Sequence, residues 1–180
     1  AETMPSAVAT INPKRTDHNY PFIDLAGVGV AFKLVQALQQ RTDGLPEGHE
    51  KWLLDLVCMG TVCDVVTLVD ENRANVFWGL RVMRKTRRPG IRALAAVAGL
   101  KVEELDARHL GFVLGPHLNA AGRLETAQLS LDLLTATDPE QALAIAYQLH
   151  DMNIARRTEQ DRIVKEAIVQ ADQFADHPVL

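Results

Sequence analysis

The 180-residue sequence is 47% apolar and 23% charged, the balance of an ordinary globular chain with enough length for one substantial domain plus an extension. Its net charge of −4 excludes nucleic-acid binding through a whole-protein basic field, so any such contact must rest on a local patch. No apolar run approaches a bilayer span and no secretory leader pattern opens the chain, so the expectation is a cytoplasmic protein without a membrane partner.

Ser6 to Ile11 reads as a short strand rich in β-branched residues, stopped by Asn12-Pro13. Lys14 and Arg15 follow at its end, where α/β proteins often place ligand contacts; a solvated basic turn is the plainer alternative. Asp17 to Phe22 is an irregular loop. From about Leu25 to Arg41, Leu25, Val28, Phe32, Val35 and Leu38 keep helical spacing. Gly27 and Gly29 weaken that helix by about 1 kcal/mol each relative to Ala, which makes sense where a backbone or ligand packs close.

A second helix is expected from about Gly48 to Met59, with Trp52, Leu53, Leu56 and Val57 facing a core. It delivers the chain to Gly60-Thr61-Val62-Cys63-Asp64-Val65-Val66. Asp64 is the only acid between Asp55 and Asp70. A carboxylate among valines is costly to desolvate unless a cation or donors meet it, although a helix-end or turn aspartate also fits. Cys58 and Cys63 form neither a disulfide framework nor a zinc ribbon and are read as reduced, buried thiols. The histidines, His117 among them, include no HExxH pair.

A third helix starts near Asp70 or Glu71, acids that suit a helix N-terminus, with Val76, Phe77, Leu80 and Met83 as its core face. Between Glu71 and Glu103 there is no acid, while Arg73, Arg81, Arg84, Lys85, Arg87, Arg88, Arg92 and Lys101 are all basic. A solvated face is the plain reading of that run. It is also the best phosphate-backbone candidate, with Arg84 and Arg88 at its centre.

Pro89-Gly90 breaks the third helix and Ile91 to Ala98 forms a short Ala-rich one. Asp106 can cap a helix over Ala107 to Leu114, which Gly115-Pro116 then interrupts. Asn119 to Arg123 is read as a small-residue loop that presents an amide and a guanidinium to a phosphate. Thr126 to Leu134 is helical again. Thr137-Asp138-Pro139-Glu140 is a strong start signal for a last helix reaching about Phe174, on the order of 50 Å. Apolar stripes mark its two ends (Leu143, Ala146, Leu149, Met152; then Ile163, Ala167, Ala171, Phe174), with a polar middle, as suits a connector between domains.

Several of these stretches, in order, resemble the RecJ family of single-stranded-DNA-specific exonucleases in the DHH phosphoesterase superfamily. They are Asn12-Pro13-Lys14-Arg15; Tyr20-Pro21-Phe22 with Leu25 to Leu34; Gly60 to Val66 with Glu71-Asn72-Arg73; Gly115 to Leu124; and Asn153 to Arg157 with Glu166-Ala167. The resemblance implies an α/β family fold, of which this chain is the mostly α-helical part with one or two short strands and a long C-terminal connecting helix. It divides the chain into residues 1–136 (C-terminal part of the DHH domain), 137–175 (connecting helix) and 176–180 (start of the DHHA1 domain).

The resemblance further implies 5′-to-3′ hydrolysis of single-stranded DNA by two Mn²⁺ or Mg²⁺ ions in repair and recombination, with a helicase and a single-strand-binding protein as partners. Asp64 takes the place of a metal-ligating aspartate of the family's fourth motif. Asn119 and Arg123 take positions near the substrate phosphates, and His117 stands where the family carries Arg, making that contact pH-dependent or removing it. Cys63 and Thr67 stand where Ala and Pro are expected. No Asp-His-His occurs, and His177-Pro178-Val179-Leu180 has the pattern of a strand beginning, so the expectation is a fragment unable to cut DNA by itself. The rival readings are a DHH phosphoesterase acting on oligonucleotides or small phosphoesters, and a catalytically inactive replication scaffold.

Overall fold

The computed structural model describes residues 6–17, 19–124 and 127–171, the side chains at 121, 123 and 124 excepted. The described residues are helical and contain no strand. The expected strand over Ser6–Ile11 is bend and irregular backbone instead, with Val8 and Ile11 exposed. A strand exists only by pairing its amides with a neighbour, and none of the described residues offers one.

The chain divides into two compact units. The first, residues 1–87 and 100–115, holds α1 (Gly27–Arg41), a 3-10 turn (His49–Leu53), α2 (Leu54–Cys63), α3 (Asp70–Met83) and α5 (Ala107–His109). A π-helical turn, Leu110–Leu114, continues α5. Its buried apolar residues include Leu25 and Phe32, Val57, Cys58 and Met59, Val76 and Met83, and Leu105, Leu110 and Leu114. The α2 and α3 helices pack so closely that a methyl group at Gly79 would overlap Cys58 and the Leu54 carbonyl. Trp52 and Phe77, expected in the core, are half exposed, and α2 begins later and runs past Gly60. Val57 is buried as expected, but the stripe that packs with it runs through Cys58 and Thr61.

Polar groups sealed in this unit are largely paired, as burial demands; Glu50 Oε2 is the exception among the described residues. Thr86 Oγ1 donates to Asp55 Oδ2 at 2.9 Å, and Thr61 Oγ1 donates to the Val57 carbonyl at 2.7 Å. Asn72, fully buried, accepts from the Ala26 amide at 3.1 Å and donates to the Asp24 and Thr67 carbonyls at 2.8 and 3.1 Å.

The second unit, residues 88–99 and 116–180, holds α4 (Pro89–Val97), most of α6 (Gly115–Leu124), α7 (Gln128–Thr135) and α8 (Pro139–Ala171). Pro89 opens α4 at the first turn, where its missing amide costs nothing. Small residues Ala93 and Ala95 beside Ile91 and Leu94 let α4 lie close to α7 and α8, whose inward side chains are Leu133, Ala142, Ile145, Ala146 and Leu149. Asp138 caps α8, its carboxylate accepting from the Gln141 amide at 2.9 Å. Beyond Asn153 nearly every described residue of α8 is exposed, including Ile163, Val164, Ile168 and Val169. The helix is therefore packed at one described end only, and Phe174 lies outside the described residues.

Asp106 does cap α5, in a capping box with His109. The break expected at Gly115-Pro116 does not occur: backbone helix continues to Leu124, and the expected Asn119–Arg123 loop is a helix. A proline ring inside an α-helix collides with the carbonyl four residues back, and the wider π turn just before Pro116 relieves that clash.

Candidate functional site

Asp64 is the residue that ends α2, its amide still donating to the Gly60 carbonyl at 3.0 Å. Its side chain is exposed, and among the described residues it has neither ion-pair nor hydrogen-bond partner. The desolvation argument from the valine run therefore does not apply to it. A different argument does: the C-terminal end of a helix carries partial negative charge, and a carboxylate placed there adds to it, so a cation is favoured at this spot.

The next residue reinforces the point. Val65 has φ 56°, the left-handed region that a β-branched residue rarely enters, and it is 88% exposed, so no packing of its side chain offsets the strain. The 64–69 stretch is held by Asn72 through the Thr67 carbonyl. At its far end Glu71 accepts from Tyr20 Oη at 2.5 Å and pairs with Lys33 Nζ at 2.5 Å. Burial alone would raise Glu71, but the Lys33 and Tyr20 hydrogen bonds hold its carboxyl below the usual range.

Cys63 points at the π turn: its thiol donates to the Leu110 carbonyl at 3.7 Å, and a methyl group at Gly115 would lie 2.6 Å from its sulfur. The residue is exposed overall, a correction to the expectation of two buried thiols; Cys58 alone is fully buried.

In the second unit, Asn119 projects from α6 and is exposed. Arg123 lies four residues further along the same helix, so the two backbone positions share a face. Its side chain lies outside the described residues. His117 does not face solvent as a phosphate contact would; it is 5% exposed. Its Nε2 is 3.1 Å from His150 Nδ1 and the rings stack with centroids 5.3 Å apart. The imidazole packs inward against α8. Asp64 belongs to the first unit and the Asn119–Arg123 face to the second.

The other candidate cations are engaged in various ways. Arg15 binds both oxygens of Asp17 and the Thr10 carbonyl, and Lys14 sits 3.9 Å from Asp24. Arg84 Nε donates to the Leu105 carbonyl at 2.8 Å, and half-buried Arg88 precedes α4. The basic run is thus shared between the two units, with Arg84 in the first and Arg88 in the second. No three of His, Cys, Asp and Glu come together as a metal site among the described residues. Sequence reading missed Asn72 as an anchor, because its three partners lie at two separate places in the chain, Asp24 with Ala26, and Thr67.

No family model matches the chain. The single-stranded-DNA-specific exonuclease RecJ of Dickeya dadantii is 42% identical over 182 residues, covering 96% of this chain and 32% of the relative. The Escherichia coli exonuclease of the same name is 39% identical over 184 residues, again 96% of this chain and 32% of the relative. The crystal structure of RecJ in complex with Mn²⁺ from Thermus thermophilus superposes with a TM-score of 0.74 at 35% identity, over 84% of this chain and 23% of that one.

In sequence and in fold, the chain matches a segment of RecJ. The resemblance drawn from the motifs holds, and the chain spans about a third of the length of the curated RecJ relatives it matches. A second RecJ crystal structure from the same organism, in complex with Mg²⁺, superposes at a TM-score of 0.69. No described helix of this RecJ-like segment is long and apolar enough to cross a membrane.

Proposed function

We propose that the chain is part of a RecJ-type exonuclease that hydrolyses the phosphodiester bonds of single-stranded DNA from the 5′ end, using Mn²⁺ or Mg²⁺. The observation that supports this most is the joint match: 42% identity to one RecJ across 96% of the chain, and a TM-score of 0.74 to another that holds Mn²⁺. In this reading residues 1–136 belong to a DHH domain of α/β family architecture, 137–175 to its connecting helix and 176–180 to the start of the DHHA1 domain, residues 172–180 lying outside those described. Asp64 is a metal ligand, and Asn119 and Arg123 line the DNA groove. The reading carries with it a cytoplasmic place of action in repair and recombination, beside a helicase and a single-strand-binding protein.

The metal fits this segment only in part. Asp64 offers one exposed carboxylate at a negative helix end, whereas a Mn²⁺ or Mg²⁺ ion takes about six ligands. The described residues supply no cluster that completes the set, so no catalytic step is assigned to this segment by itself. The isolated chain is accordingly expected to bind Mn²⁺ weakly, and micromolar affinity in a calorimetric titration would contradict that.

The deciding test is Mn²⁺-dependent digestion of 5′-labelled single-stranded DNA by this chain and by a longer natural protein that contains it. Degradation by the longer protein alone supports the reading. Degradation by neither overturns it in favour of an inactive scaffold. A length series of single strands, with small phosphoesters beside it, separates an exonuclease from an oligonucleotide or small-phosphoester hydrolase.

A further inference from the structure

The only two tryptophans of the chain, Trp52 and Trp78, are 49% and 57% exposed. Large aromatic surface left in water is the informative exception to burial. Both line one groove of about 650 Å³ within the first unit, between α1 and α3 beside the 3-10 turn. Phe32 and Leu54 give it apolar lining, while Lys51, Arg81 and Lys85 supply cations and no carboxylate lines it. In a chain of net charge −4 this is a local excess of positive charge. Neither lysine has an ion-pair partner among the described residues.

Trp78 is braced. Its ring meets Phe77 edge to face at 5.2 Å, and the Arg81 guanidinium lies 3.6 Å from the Phe77 centroid and 5.1 Å from that of Trp78. A platform already held in place loses little further freedom when a flat ligand stacks on it.

We propose that this groove binds single-stranded nucleic acid, with bases stacked on Trp52 and Trp78 and backbone phosphates at Lys51, Arg81 and Lys85. Flat aromatic platforms combined with cations are what a single strand needs when it is held without regard to sequence. A duplex hides its base faces in the stack and gains nothing from the tryptophans. An acidic peptide would use the cations but has no need of two flat platforms. The groove meets α2 at its N-terminal end, whereas Asp64 closes the C-terminal end, about 15 Å along the axis. It is a second contact, and it stands whether or not Asp64 binds metal.

Because both tryptophans lie in the groove, the intrinsic tryptophan fluorescence of the chain reports on it directly. Titration with an oligothymidylate of about 15 nucleotides is expected to give saturable quenching that weakens as salt rises. Trp78→Leu, read through Trp52, and the Lys51→Gln/Lys85→Gln double variant should each weaken binding about tenfold. The double variant alters only solvent-facing cations, so it keeps the test decisive if Trp78→Leu fails to fold. An abasic phosphodeoxyribose strand of equal length should bind far more weakly. No quenching, or equal binding of the abasic strand or heparin, would overturn the proposal. Stronger binding of a glutamate-rich aromatic peptide would overturn it in favour of a protein partner. The cleavage assay above bears on Asp64, so the two readings can fail separately.

Discussion

Two aspartates stand at opposite ends of α2, and their surroundings are opposite too. Asp55, in the first turn, is 2% exposed; it accepts from Thr86 Oγ1 and, at 2.8 Å, from the Leu56 amide. There the positive end of the helix favours it. Asp64, at the last turn, is exposed and faces the negative end without a partner among the described residues. One carboxylate is committed to the fold and the other is left available. Chemistry needs the second kind.

That contrast is sharpest in a longer natural protein containing this sequence, where Asp64→Ala is expected to abolish Mn²⁺-dependent cleavage while leaving single-strand binding largely intact. Retained full activity would remove Asp64 from the metal site. In the isolated chain the order reverses. Asp55→Ala leaves Thr86 and a helix amide without their acceptor and should cost about 2 kcal/mol in urea unfolding, whereas Asp64→Ala should stay within about 0.5 kcal/mol. Equal losses would mean that Asp64 is structural as well.

Val65→Gly comes next. Relief of the left-handed backbone is expected to stabilise the chain by up to about 1 kcal/mol, offset in part by the freedom glycine gains when unfolded. A loss of stability would show that no strain is stored beside Asp64.

The smallest effect concerns the two thiols. Burial pushes Cys58 up to about 12, with minor help from Cys63 and Asp55, so at pH 8 only about one molecule in ten thousand carries its thiolate. Burial raises the Cys63 thiol too, but that residue is exposed whereas Cys58 is sealed, so iodoacetamide should label Cys63 before Cys58 in the folded chain and both thiols in urea, as mass spectrometry would count. Because only the unfolded chain releases the Cys58 proton readily, stability should fall as pH rises from the ordinary thiol value toward about 12.

What could be read from sequence followed how local the cause was. The caps at Asp106 and Asp138 involve neighbours within a few residues, and both stand as read, whereas Pro89, read as breaking the third helix, opens α4 instead. Trp52 and Phe77 did not stand: helical spacing identifies a stripe but not which of two adjoining stripes meets the core. Gly115-Pro116 misled because the compensating feature, a π turn, has no sequence signal of its own. Asp55, with its partner Thr86 thirty-one residues away, was passed over for Asp64, and Asn72 reaches forty-six residues back to Ala26. Such pairings exist only once the chain has folded.

The π turn at Leu110–Leu114 also works as a phase shifter. Each residue advances a helix by about 100°, so the one extra residue in that turn shifts the helical phase locally by that amount. Within the second unit, His117 points inward at His150 while Asn119, two residues on, is left in the open. Two residues apart on one helix, an imidazole is committed to packing and an amide is left to solvent.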